Sequence, residues 1–255
     1  MCQDEPVLNL MAPITLSEMG SIRLMNRVDT KYLTDRATLS GVLSKACGRG
    51  YLVFEEGGRV LGYRTLYYDT PDLRMYLDHH NRRLVRQKLR TRQYESGLSY
   101  LELKSKDNHG RTKKKRVEIA PDEFCSGMLS ADGKAWLEGR LRYPPEGLSP
   151  ALETNFSRIT LVDPGMRERA TIDMDISFVN RRSGASRSLG DVVIIEVKQD
   201  GNFRSVLKDI LLEFRVKPVR ISKYCIGTAM TDPSVRRGRF KGKIRLINKI
   251  LKRYD

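Results

Sequence analysis

Cations recur at every second position along several stretches whose composition suits β-strands, and that spacing is the first chemical signal in the chain. Successive strand side chains point to opposite sides of a sheet. In residues 85–94 one face therefore collects Arg86, Lys88, Arg90, Arg92 and Tyr94, while Val85, Gln87, Leu89, Thr91 and Gln93 take the other. The same alternation sets Glu102, Lys104 and Lys106 against Leu101 and Leu103, and Lys114, Arg116 and Glu118 against Val117 and Ile119. Arg169, Thr171, Asp173 and Asp175 oppose Ala170, Ile172, Met174 and Ile176; Glu196 and Lys198 oppose Val193, Ile195 and Val197; Arg27, Asp29 and Lys31 align likewise. Guanidinium and ammonium donors match phosphate oxygens, so the chemistry such faces could carry is the gripping and alignment of phosphates.

Any one of these segments reads, alone, as an ordinary half-buried strand with a solvated outer face. As a set they say more, because cations on neighbouring strands repel unless carboxylates or a polyanion intervene. About seven such strands, with helices available to cover the apolar faces, predict a closed sheet whose charged side points inward. The few carboxylates in that lumen, chiefly Glu196, Glu102 and Glu118, are the expected ligands of Mg2+ or Mn2+, hard ions that also keep waters and substrate phosphates in their shell. Asp173 and Asp175 are expected to pair with lumen cations and keep the sheet from repelling itself.

Strands are predicted at residues 22–32, 63–69, 84–94, 99–106, 113–119, 153–162, 167–178 and 192–198, and helices at 35–47, 71–79, 131–141, 203–214 and 222–230. The helices fall between strands without alternating with each one. An antiparallel α+β domain, a β-barrel of eight-stranded type with helices packed outside, follows in place of a βαβ array. Residues 1–20 read as a leader, 21–231 as the domain and 232–255 as a basic tail. The adjacent His79 and His80 would point apart on a helix and are assigned surface or capping roles. Tyr67 and Tyr68 read as core and rim packing.

Lys and Arg number 47 against 31 Asp and Glu, and the resulting +16 points to an anionic partner: a nucleotide, a phosphate polymer or an anionic membrane surface. Cys2, Cys47, Cys125 and Cys225 form no Cys-x-x-Cys pair and the three histidines complete no zinc set. The first residues lack a basic n-region and no run approaches membrane-spanning length, so a reducing, cytoplasmic setting is expected. No P-loop, kinase catalytic loop or Gly-x-Ser-x-Gly elbow is present.

A set of fragments, in order, resembles the VTC polyphosphate polymerase domain of the CYTH, or triphosphate tunnel metalloenzyme, superfamily. They are Arg27-Val28-Asp29-Thr30-Lys31-Tyr32, Tyr67-Tyr68-Asp69-Thr70, Lys88-Leu89-Arg90-Thr91-Arg92-Gln93-Tyr94, Leu101-Glu102-Leu103-Lys104, Phe156-Ser157-Arg158, Arg169-Ala170-Thr171-Ile172-Asp173, Ile195-Glu196-Val197-Lys198 and Ile221-Ser222-Lys223-Tyr224. The resemblance covers residues 20–230. It implies an antiparallel tunnel in which ATP donates its γ-phosphate to a growing polyphosphate chain with Mn2+ or Mg2+ bound. Lys31, Arg90, Arg92, Lys104, Arg116, Arg158, Arg169, Lys198, Arg220, Ser222 and Lys223 would contact phosphates, and Glu196 the metal. Within that set Arg90, Arg92, Arg158, Arg169 and Glu196 would carry the catalysis. The superfamily's first-strand Glu-x-Glu-x-Lys reads here as Arg27-x-Asp29-x-Lys31, a cation for a carboxylate, which tilts the expectation from water activation toward holding long phosphate chains. Phe156 stands where Tyr is usual and Arg220 where Lys is usual.

Two rivals remain at this stage: a triphosphatase on the same fold, and a non-catalytic polyanion-binding module. Sequence-specific nucleic-acid recognition is not expected. Ile244, Leu246, Ile247, Ile250 and Leu251 give the tail, 234–255, an apolar stripe on a basic helix. That stripe is expected to lie on an anionic inner membrane face or a membrane-protein partner, in preference to collecting emerging polyphosphate or standing in solvent. With no SPX-like domain and no membrane helix in the sequence, regulation and export are expected from other chains.

Overall fold

The structure, a computed structural model, describes residues 5–20, 27–201 and 203–252. In chain order it contains α1 (Glu5–Leu10), β1 (Pro13–Ile14), α2 (Leu16–Gly20), β2 (Arg27–Asp35), α3 (Arg36–Gly48), β3 (Leu52–Phe54), β4 (Leu61–Asp69) and α4 (Arg74–His80). There follow β5 (Arg86–Tyr94), β6 (Ser99–Lys106), β7 (Thr112–Ile119), α5 (Ala131–Leu137), β8 (Ser149–Val162), β9 (Glu168–Asn180), β10 (Ser186–Ser188) and β11 (Val192–Asp200). The chain ends with α6 (Val206–Glu213), α7 (Lys223–Thr231) and α8 (Lys241–Leu251). Residues 22–26 of the first predicted strand and the side chain of Arg27 lie outside the described residues.

Eight long strands form one antiparallel path, β2-β11-β9-β8-β4-β5-β6-β7, with every neighbour running the opposite way. Among the described residues β2 and β7 do not bond to one another, so the sheet curls into a barrel left open along one seam. The reason is written in β7, whose Thr112-Lys113-Lys114-Lys115-Arg116 run is exposed and charged on both faces, a poor edge for further pairing.

The apolar faces turn outward and are covered by helices. Ile159, Leu161, Ala170, Ile172, Val193, Ile195 and Val197 pack against Leu39, Val42, Leu43 and Ala46 of α3 and Leu207, Ile210 and Leu211 of α6. Leu8 and Met11 join this core, tying residues 5–20 to the domain. Asp35 starts α3 by accepting from the Thr38 amide at 2.8 Å, and Ser205 caps α6. On the other flank Leu66, Tyr68, Leu89, Leu101 and Leu103 pack under Phe124, Met128 and Leu137. A third cluster fills one end of the barrel, where β2, β4, β6 and β9 finish and β5 and β7 begin: α7 plugs it, burying Tyr224, Cys225 and Ile226 against Leu33, Ile194, Ile176 and Phe178.

α7 fits so closely that a Cβ on Gly227 would sit 2.5 Å from Leu152 Cδ2 and 2.6 Å from Phe178 Cδ1. Gly227→Ala is therefore expected to lower stability by about 1–3 kcal/mol through overpacking, read as a drop in the thermal midpoint.

The alternation of β9 breaks where the sequence reading carried it through. Asp175 adopts φ 51° next to a register shift between Asn155 and Ser157, which turns it outward to pair with Arg36. Only Asp173 of the two aspartates faces the lumen cations. Most of the tail's apolar stripe is taken up by the domain itself: Ile247 and Ile250 are buried in the α7 cluster, with Ile244 and Leu251 packed against it, while Leu246 stays exposed. Among the described residues no helix is long and apolar enough to cross a membrane.

Candidate phosphate-binding site

Asp173, Glu102 and Glu196 stand inside the barrel, and their partners differ. Asp173 receives Arg158 twice, from Nε at 2.6 Å and Nη2 at 2.9 Å, and pairs with Lys223. Glu102 takes Arg90 Nε at 2.8 Å and Nη2 at 2.6 Å on one oxygen and Lys114 Nζ at 2.8 Å on the other. Glu196 stands looser, with Lys31 Nζ at 3.5 Å and Lys198 Nζ at 3.8 Å, beyond ordinary hydrogen-bond length. Burial would raise all three carboxyls, yet the cations around them outweigh it and hold each well below the usual carboxylate range.

The cations come from both sides of the curl. Lys31 on β2 acts electrostatically on Lys88 and Lys104, which face it from β5 and β6 across the lumen. Burial, then neighbouring cations, lower Lys88 and Lys104 to about 8; Lys198 reaches about 8 by burial together with Arg158 and Arg169, against the pull of Glu196. Lys104 keeps solvent contact although protein surrounds it, as expected of a water-filled lumen. Arg92 is held down by burial and by Arg90, and its buried Nε finds no partner among the described residues. Lys88 donates to Ser222 Oγ at 2.9 Å, while the same oxygen caps α7. The start of α7 thereby brings Ser222 and Lys223 to the lumen.

Aromatic side chains line the wall between the guanidiniums. Tyr63 stacks on Phe156 at 5.3 Å, Arg158 lies 4.8 Å from the Tyr63 ring, and Lys223 Nζ sits 4.2 Å over Phe156, so Phe156 keeps a cation-binding face without a hydroxyl. Tyr67 accepts from Arg90 Nη1 at 3.4 Å; burial would raise its hydroxyl, but Arg90 and Arg92 hold it below its ordinary value. Neither tyrosine was singled out from sequence as a lumen residue, although Tyr63, Thr65 and Tyr67 share a strand face.

Lys31, Arg90, Arg92, Lys104, Arg158, Lys198, Ser222, Lys223 and Glu196 thus converge on one cavity. Arg169 stands in register with Lys198 on the neighbouring strand. Arg116 lies exposed on the edge strand with its guanidinium 4.4 Å from the Tyr100 ring, and Arg220 is exposed on the loop before α7. The expectation of Glu102 and Glu118 as metal ligands is not met: Glu102 is occupied by Arg90 and Lys114, and Glu118 is exposed at the rim. His79 and His80 are not surface residues either. His80 is buried and its Nε2 accepts from the Arg239 amide at 3.4 Å; His79 lies among Lys88, Arg86 and Lys31.

Among the described residues no three Cys, His, Asp or Glu gather as a metal cluster. A loosely paired carboxylate in a cationic lumen still fits a hard divalent ion, since such ions bind through one or two carboxylates plus the phosphates of a substrate. Glu196 has the exposure and the free coordination geometry for that role; Glu102 and Asp173, each clamped by two cations, do not.

The sequence profile of the VTC domain matches residues 26–231. The sequence matches no curated protein. Among solved structures, a Bacillus halodurans protein described as a candidate adenylate cyclase is 17% identical, with a TM-score of 0.51 over 77% of this chain and 94% of that one. A candidate adenylyl cyclase of Hippeastrum with a dominant triphosphatase activity is 15% identical, with a TM-score of 0.49 over 81% and 97%. The first likeness is one of fold, the antiparallel triphosphate-tunnel fold of α+β class. With most of its length matched in order to the profile, and with the family's fragments converging in one lumen, the chain belongs to the VTC domain family.

Proposed function

We propose that this lumen binds ATP with Mn2+ or Mg2+ and transfers the γ-phosphate to the end of an inorganic polyphosphate chain. The observation that carries the reading is the convergence of lumen cations from β2, β5, β6, β8, β11 and α7 on a space where the Glu196 carboxylate is loosely held. Arg90, Arg92, Arg158 and Arg169 align donor and acceptor and offset charge on the transferring oxygens; Lys31, Lys104, Lys198, Ser222 and Lys223 hold the phosphates, with Arg116 and Arg220 at the rim. Glu196 holds the divalent ion, which when bound neutralises charge on the phosphate oxygens.

A terminal phosphate oxygen is already anionic and needs no general base, whereas water does. Glu102 and Asp173 are ionised but each is clamped by two cations, so neither is placed to take a proton from water. That favours chain extension over hydrolysis. Incubation with ATP and Mn2+, followed by separation of products by size, tests it: a ladder of long polyphosphate supports the polymerase, and orthophosphate as the sole product supports a triphosphatase.

The lumen lysines give this reading a pH signature. Lys88, Lys104 and Lys198 fall from 10.5 to about 8 in the ligand-free protein, and phosphates would raise them again. Binding of tripolyphosphate near pH 8.5 is therefore expected to take up protons, and affinity to fall as pH rises through 8. Their effect on the ligand-free fold has the opposite sign: the penalty for burying charged lysines is present below pH 8 and relieved between 8 and 10.5. Calorimetry in buffers of different ionisation enthalpy measures the uptake; identical heats in all buffers contradict it.

A further inference from the structure

Aromatic rings cross neighbouring strands toward the end of the barrel opposite α7, where β5 finishes and β4 and β6 begin. In spatial order they are Phe156 of β8, Tyr63 of β4, Tyr94 of β5 and Tyr100 of β6. Tyr63 stands in register with Phe156 on one side and with Tyr94 on the other. It lies nearly parallel to Phe156, at 7°, and meets Tyr94 edge to face at 5.1 Å; Tyr94 in turn meets Tyr100 at 6.0 Å and 90°. Strand alternation gives Tyr63, Tyr94 and Tyr100 the same side of the sheet as Tyr67, Arg92 and Glu102, so the ladder faces inward.

Packing alone does not account for the outer half of this ladder. Phe156 is buried and Tyr63 packs against the α7 cluster, but Tyr94 and Tyr100 join no apolar cluster among the described residues. Both are half-buried, so inward-facing rings meet solvent here and mark the mouth of the lumen. The ladder is also joined to the phosphate-gripping cations: Arg158 lies 4.8 Å and Arg92 5.9 Å from the Tyr63 ring, and Arg116 lies 4.4 Å from that of Tyr100. Along β5 the inward positions run Arg90, Arg92, Tyr94 toward the mouth, each about 7 Å beyond the last at the ordinary strand rise. The far end is filled by α7 and its apolar neighbours. A triphosphate held by Arg90 and Arg92 therefore presents whatever group it carries to Tyr94 and Tyr100.

We propose that Tyr94 and Tyr100, backed by Tyr63 and Phe156, form a stacking site for the base of a nucleoside triphosphate whose phosphates lie in the lumen. Every nucleobase has a π-face, and stacking on an aromatic side chain retains it without reading its hydrogen-bonding edge. The inference rests on the tunnel reading above and deepens it: the donor is selected as a nucleoside triphosphate over a bare inorganic triphosphate.

The test compares ATP with tripolyphosphate, binding measured by calorimetry without metal or turnover. Tyr94→Leu, which removes a ring and no charge, is expected to weaken ATP by about tenfold and tripolyphosphate by no more than about twofold. Tyr94→Phe keeps the ring and should stay within about twofold of the wild type for both ligands. Equal losses for both ligands in Tyr94→Leu, or an ATP affinity that does not change, would overturn the stacking site. So would a wild-type chain that binds tripolyphosphate and not ATP, with the tunnel reading left standing. A wild-type chain that binds neither ligand would overturn the tunnel reading itself. Thermal midpoints establish that the variants are folded; should Tyr94→Leu unfold the barrel, Tyr100→Leu carries the same comparison with the same expected selectivity.

Discussion

Glu196→Gln should reduce turnover of ATP by about two to three orders of magnitude or more, while metal-free binding of tripolyphosphate tightens by roughly tenfold. The two effects have one cause. Lys31 at 3.5 Å and Lys198 at 3.8 Å are offset by the Glu196 carboxylate in the empty lumen. Neutralising it leaves those cations to the phosphates, so the ground state is held better, while the oxygen that would hold the divalent ion is lost. A residue with a purely structural role would move stability and leave this opposed pair of changes absent. Steady-state rates with Mn2+ and calorimetry without it measure the two halves, and wild-type turnover in the variant would contradict the assignment.

Asp173→Asn is expected to have the largest effect on the fold, lowering stability by about 3–5 kcal/mol, because it strands two buried cations. Arg158 and Lys223 both converge on this carboxylate from β8 and α7. Losing it loosens the plug helix as well as the wall. In the wild-type protein the same pairing has a pH signature. Asp173, Glu102 and Glu196 are held well below their ordinary values of 3.8 and 4.5, so their contribution is present above about pH 4.5 and is lost as pH falls through the depressed values. Tripolyphosphate should rescue the variant more than it stabilises the wild type, since a polyanion can take the place of the missing charge. Thermal unfolding with and without the ligand reads both, and an unchanged midpoint in Asp173→Asn would show that the pair contributes nothing.

The charged lumen was legible because strand alternation is strict and the cations sit on the even positions of β5 and β6 and the matching faces of β9 and β11. It failed where the backbone departs from the pleat. Asp175 left the lumen through a left-handed residue beside a bulge, a feature that no side-chain pattern announces. Arg116 and Glu118 share the β7 face that sends Lys114 to Glu102, as the alternation predicts, but on this edge strand both side chains remain exposed. His79 escaped for another reason: its electrostatic environment is made by β2, β5 and α8, and only tertiary packing brings Lys31 and Lys243 to one imidazole. The tail stripe was seen correctly as apolar, but sequence periodicity says that a face will be covered and not by what; here Ile247 and Ile250 are covered by the domain's own core.

A crystal structure with tripolyphosphate tests the central claim most directly. The account predicts its phosphates inside the curl of the sheet, within hydrogen-bond reach of Arg90, Arg92, Arg158 and Lys198, with Lys31 and Lys223 closing over them. Tripolyphosphate bound only to the exterior, on β7 or the exposed face of α8, with the lumen filled by water, would contradict it.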